Sequence, residues 1–203
     1  MNYSMISNKS ELHDVTISNL QDLSKHLKSV GVSLIADKLT VQSDVVGFDI
    51  GSYFSKIGGR DSGHICQSSA CAIGHFAVMR GLACCSDGVI EENGRMIDWF
   101  GFAHKYIGIN CADATEVLWA WLFSDEWNGY DRSALGAAAR IDHFLEHGVP
   151  SHFVEDGFFD EEYARTGDEG ETPACVAPYL ERRTAIEAEA LEAHKSLNGK
   201  CHG

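Results

Sequence analysis

Cys66-Gln-Ser-Ser-Ala-Cys-Ala-Ile-Gly-His-Phe-Ala-Val-Met-Arg-Gly81 is the stretch that decides the fold. It reads as a cysteine-bearing loop that enters a buried helix. Ser68 or Ser69 can act as N-cap, and Gly81 stands where a left-handed C-terminal residue belongs. Ala70, Gly74, Ala77 and Gly81 recur at helical spacing and leave one face nearly bare, open to close approach by another backbone. Ile73, Phe76, Val78 and Met79 cover most of the rest, so the helix is apolar almost all round and belongs inside.

What surrounds such a helix is bounded by composition. A chain of 203 residues with 44% apolar residues can bury a sizeable core without staples. Residues 1–16 carry no apolar run of the signal-peptide kind, and the longest unbroken run, Val117-Leu-Trp-Ala-Trp-Leu-Phe123, is seven residues. A soluble, cytoplasmic protein is expected. The seven cysteines are odd in number and irregular in spacing, which favours buried thiols over a disulfide framework.

The net charge is −14, from 30 acids and 16 bases. Residues 151–203 carry 12 of those acids and 5 of the bases, so the last quarter is the most acidic part. A phosphate backbone needs a basic face, so direct nucleic-acid binding is not expected. Solubility, a basic partner, or imitation of nucleic acid all fit the balance.

Along the chain, residues 1–17 read as a polar arm. Ser18 to Gln21 has capping-box spacing, Leu20, Leu23, Leu27 and Val30 share a helical face, and Gly31 is expected to stop that helix. Residues 32–47 fit short strands or a loop. Phe48 to Phe54 reads as a short helix, and Gly58 to Gly63 as a flexible loop. A small hairpin is expected around Val89 and Ile90. Residues 96–108 read as a second buried helix, with Ile97, Phe100, His104 and Ile107 inward and Gly108 closing it. Asn110 and Asp113 suggest a cap for the next helix, whose inner stripe is Val117, Leu118, Trp121 and Leu122. Ser124 to Arg132 reads as a polar loop. Ser133 begins a strong helix with Leu135, Ile141, Phe144 and Leu145 inside and Gly148 and Pro150 at its end. The core is expected to stop near Phe153. Residues 155–171, with eight acids and one arginine, read as a linker, and Pro178 to Leu197 as a thin-faced helix.

Phe48-Asp-Ile-Gly, followed after a loop by Cys66 and Ala70-Cys-Ala-Ile-Gly74, resembles a group of small phage and prophage proteins. Their pattern runs approximately Phe-Asp-Met, a gap, then Cys-Gly-Thr-x-x-Cys-Ile-Ala-Gly. Tyr106-Ile-Gly-Ile109, Val117 to Phe123 and Ala138 to Leu145 match the order of the group's later segments. The resemblance covers residues 46–148. It departs at Gln67-Ser68, where Gly-Thr belongs, and at 72–74, where residues are swapped. It implies a phage or mobile-element context and assigns no catalytic residue.

Three constellations bear on chemistry. Cys66, Cys71 and His75 form C-x4-C-x3-H, which can begin a zinc site, although buried thiols beside a hydrogen-bonded His75 explain the same residues. Cys66 at a helix N-terminus can instead be a nucleophile, with His104 or His64 as base and Asp98 or Asp142 as orienting acid. His143 and His147 are one helical turn apart near a helix end, where exposed imidazoles simply complement the dipole. Trp119, Trp127 and Tyr130 are expected to be partly exposed and to serve a protein interface. No phosphate-cradling glycine loop, nucleophile elbow or zincin helix occurs.

The expectation is a mostly α-helical protein: a polar arm over 1–17, a compact helical core over 18–153 built around the small-residue helix, and an acidic linker with a C-terminal helix over 154–203. Its expected function is non-enzymatic. It would bind and interfere with a host protein in a host cell's cytoplasm, for counter-defence or host takeover; a host protein with a basic nucleic-acid-binding surface fits the chain's acidity. Trp119, Trp127, Tyr130, Glu155, Asp156, Asp160, Glu161 and Glu162 would form the contact, without direct nucleic-acid or membrane binding. The alternative is a thiol- or zinc-dependent enzyme centred on Cys66, Cys71 and His75.

Overall fold

The computed structural model describes residues 6, 8–36, 47–48, 55–56, 68–84, 89–109, 116–124, 127, 131, 133–150, 153, 181–189 and 191–192. Within these the chain is mostly helical. Five α-helices appear in order as α1 (Asp14–Ala36), α2 (Ala72–Met79), α3 (Trp99–Tyr106), α4 (Glu116–Phe123) and α5 (Ala134–His147). A sixth, α6, runs over 181–189. No helix among the described residues is long and apolar enough to cross a membrane.

The frame is α1 against α5. Leu20, Leu23, Leu27 and Val30 form the buried stripe of α1, as their spacing requires, and Leu135, Ala138, Ile141 and Leu145 are buried along α5. The helix does not stop at Gly31. It begins at Asp14 and continues to Ala36, so Gly31 lies inside it. A Cβ on Gly31 would stand 2.5 Å from Leu135 Cδ2 and 2.6 Å from its Cγ. The glycine is a notch for a neighbouring helix and not a terminator. Helix α1 also invades the expected polar arm. Ahead of it, Lys9–Glu11 form a 3-10 turn capped by Asn8, whose backbone N–H donates to Glu11 Oε1. Ile6 and Leu12 are partly buried against the core.

Helix α2 is short and almost wholly internal, with residues 72–77 all buried. Its N-cap is Cys71, not Ser68 or Ser69. Those serines belong to a strand, β3 (Ser68–Ala70), which sits between β1 (Gly47–Phe48), parallel to it, and β2 (Ser55–Lys56), antiparallel. Phe48 is therefore in a strand and not in the expected short helix. Gly81 does take the left-handed conformation expected of it, at φ +68°.

A second sheet corrects the reading of 96–108. β4 (Ala83–Cys84), β5 (Val89–Glu92) and β6 (Arg95–Asp98) form an antiparallel meander. Asn93 and Gly94, both at positive φ, make the two-residue turn between β5 and β6. Helix α3 then starts only at Trp99, with Asp98 accepting the Gly101 N–H at 2.6 Å as N-cap. Its buried face is Trp99, Phe102 and Ala103. Phe100 and His104, expected inward, are exposed. Glu92 ties the hairpin back to α3 through Lys105 at 2.5 Å.

Helix α4 buries Leu118, Trp119, Trp121 and Leu122 and packs on α5. Helix α5 has the ends its sequence announces: Ser133 Oγ accepts the Gly136 N–H at 2.9 Å, and Gly148 closes it at φ +83°. Phe153, at the expected limit of the core, is buried.

Candidate functional site

A buried aromatic network, a partly exposed ionic network and one open groove place the polar chemistry. The first network is aromatic. Trp121 donates its indole N–H to the Arg140 carbonyl at 3.0 Å, and Trp127 donates to the Ala120 carbonyl at 3.2 Å. The two indoles meet edge to face at 5.3 Å, Phe153 packs on both, and the Arg140 guanidinium lies 4.4 Å from the Trp127 ring centre. Trp127 is fully buried and Trp119 is 9% exposed. The exposed aromatic face expected of these two residues is therefore internal. For Trp127 the polar sequence neighbourhood concealed it, because α4 and α5 supply the apolar surroundings. Tyr130 lies outside the described residues. The large apolar side chains exposed among the described residues are Val15, Met96 and Phe100, the last touching Trp119.

The second network is ionic and runs along α5. Asp142, buried, accepts from Ser24 Oγ at 2.5 Å and pairs with Lys28 Nζ at 2.5 Å, both from α1. Arg182 of α6 reaches the same carboxylate at 3.6 Å and grips Glu146 with both terminal nitrogens. Arg183 pairs with buried Asp131 at 2.9 Å and with Glu187, one turn on. The pairs to Asp142, Glu146 and Asp131 fasten α6 to the core, helped by Ile186. His143, expected on an exposed face, is buried against Trp121. Burial holds its imidazole below the ordinary histidine range, and His147 and Arg182 push the same way. Arg182, through its hydrogen bond, lowers the Glu146 carboxyl.

The groove opens between α1 and α2 and has a volume of about 430 Å³. Asp22, Lys25, His26 and Ser29 come from one face of α1, and Phe76, Met79 and Arg80 from the end of α2. Behind it His75 is fully buried, with Nδ1 3.0 Å from His26 Nε2. One proton serves that contact, since two N–H groups cannot point at each other. The two rings therefore take complementary tautomers. Burial lowers the His26 pKa from its usual value. Arg80 is aimed by Asn19, whose Oδ1 accepts from Nη2 and whose amide donates to the Tyr106 carbonyl at 2.5 Å. Its guanidinium carbon lies 5.0 Å from the Phe76 ring centre.

Of the residues singled out for metal and thiol chemistry, Cys71 and His75 are among those described. Cys71 is a buried thiol at the start of α2, and His75 turns its Nδ1 to His26. Among the described residues no three His, Cys, Asp or Glu side chains converge as a metal-ligand set. His104 is exposed on α3, Asp98 is engaged as a cap, and Asp142 as an ion-pair anchor, so neither carboxylate orients His104. Cys66, His64, Glu155, Asp156, Asp160, Glu161 and Glu162 lie outside the described residues. Sequence reasoning missed the groove because its walls are 49 residues apart at the histidine pair, and no local motif signals that meeting. No protein-family model, curated protein or solved structure matches this chain.

Proposed function

We propose that the chain is a non-enzymatic, phage- or prophage-type protein that binds a host protein bearing a basic, nucleic-acid-binding surface and interferes with it. One observation carries this reading: the distribution of charge. Lys28, Lys105, Arg182 and Arg183 are each held in ion pairs with carboxylates of the fold, and Lys9, Lys25, Arg80 and Arg95 are exposed. Asp14, Asp22, Glu91, Glu116, Glu181, Glu189 and Glu192 are exposed, in a chain whose net charge is −14. Residues 155–171 add eight further acids against one arginine. An acidic exterior of this kind draws basic surfaces together at long range and occupies sites shaped for phosphate.

The test is affinity capture from host extract, followed by titration of the purified partner. Wild-type protein is expected to retain a basic nucleic-acid-binding protein. A variant with Glu155, Glu161 and Glu162 changed to Gln and Asp156 and Asp160 to Asn should lose it. Equal binding by the neutralised variant overturns the mimicry, and retention of no basic protein by the wild type overturns the reading as a whole.

A further inference from the structure

We propose that the α1–α2 groove is a binding site for a small organic oxyanion, a carboxylate or phosphate carried on a compact apolar group. Its size falls in the range that holds small ligands, about 300–1,000 Å³, and its lining divides as such a ligand requires. Phe76, 1% exposed, and Met79 supply an apolar wall. Lys25 and Arg80 supply two cations from opposite helices, against the single carboxylate of Asp22. A locally positive pocket on a chain of net charge −14 runs against the composition of the whole surface.

Arg80 is also held in place before any ligand arrives. The chain Arg80–Asn19–Tyr106 carbonyl fixes one edge of the guanidinium, and the Phe76 ring fixes its plane. A planar cation so fixed loses little freedom on meeting an oxyanion, and its remaining N–H groups match two oxygens at once. The simpler explanation, a cation placed after α2 to complement its dipole, accounts for Arg80 but not for Lys25 across the groove. His26, with its tautomer set by the buried His75, adds a ring nitrogen on the same wall. Phenyl phosphate and benzoate are the simplest molecules that present both halves, an oxyanion and a ring.

Titration of the full chain with phenyl phosphate and with benzoate, followed by NMR or calorimetry, tests the site. Inorganic phosphate and phenol serve as the separate halves. Saturable binding of one or both probes is expected, tighter than either half, and the stronger of the two identifies the head group. Lys25→Gln and Arg80→Gln should each weaken it by about tenfold, the loss of one charge-assisted contact. Asp22→Asn should strengthen it. Lys25 is exposed in the middle of α1, so Lys25→Gln keeps the test decisive if Arg80→Gln disturbs the Asn19 contact. Failure of both probes to saturate, or equal affinity in wild type and Lys25→Gln, overturns the proposal.

Discussion

Replacing Gly31 by Ala probes the α1–α5 interface on which the architecture rests. In an open helix this change stabilises by about 1 kcal/mol, because alanine loses less backbone freedom and fills the helix better. Here the new methyl meets Leu135 Cδ2 at 2.5 Å, Cγ at 2.6 Å and the Leu135 backbone nitrogen at 3.3 Å. Leu135 is 2% exposed, so it cannot swing into solvent. Overpacking of this kind costs roughly 1–3 kcal/mol, which outweighs the propensity gain and leaves a net loss of about 1 kcal/mol. The Leu135→Ala background removes Cγ and Cδ2, the two closest obstructing atoms, and leaves the 3.3 Å approach to the backbone nitrogen, which a shift of a few tenths of an ångström relieves. That change alone costs about 2–5 kcal/mol as a core truncation, but within it Gly31→Ala should turn stabilising, by about 1 kcal/mol. The sign reversal amounts to a coupling of about 2 kcal/mol, well above the few tenths expected of independent sites. Urea unfolding followed by circular dichroism of the four proteins gives the cycle, with a constant slope against denaturant as the check on two-state behaviour. Gly31→Ala stabilising in both backgrounds would refute the close packing of α1 on α5.

Further outcomes follow from the same contacts. Asp142→Asn should destabilise by about 2 kcal/mol, since Lys28 and Arg182 are only partly shielded from solvent, and 0.5 M salt should narrow the gap in unfolding midpoint. An equally stable variant removes Asp142 from its anchoring role. Trp127→Ala should cost about 3–5 kcal/mol as a buried aromatic truncation, read by thermal unfolding; a loss under 1 kcal/mol would return Trp127 to the surface. His143 has a depressed folded-state pKa, so the unfolded chain takes up that proton first. Its contribution is therefore present above the usual histidine pKa of about 6.5 and is lost as pH falls through the folded value. Glu146, lowered by Arg182, acts in the same direction in the carboxylate range. Melting temperature should fall from pH 7.5 to 5.5, and by less in His143→Gln; identical profiles would contradict the assignment.

Helices were legible where local chemistry and periodicity agree. Ser133 and Gly148 frame α5 because a cap and a positive-φ residue are local requirements, and Leu20, Leu23, Leu27 and Val30 show their face by spacing alone. The antiparallel strand at Val89 and Ile90 was legible from its flanking turn residues, but the strands of the first sheet were not, because β3 is three residues long and is defined by partners at 47–48 and 55–56. In 96–98 an apolar helical period competed with the Asn93-Gly94 turn signal, and cross-strand pairing decided the outcome. Gly31 was misread for a related reason: from sequence a glycine announces an end, while here it is required by Leu135, 104 positions away. The burial of Trp127 and the meeting of His26 with His75 likewise depend on elements distant in the chain.

The most direct measurement of the proposed function is the affinity of the captured basic partner for wild-type protein across a salt series, beside the variant neutralised at 155, 156, 160, 161 and 162. Charge-driven binding predicts affinity that falls steeply with salt in the wild type and is both weaker and flatter in the variant. Superimposable curves for the two proteins would contradict it.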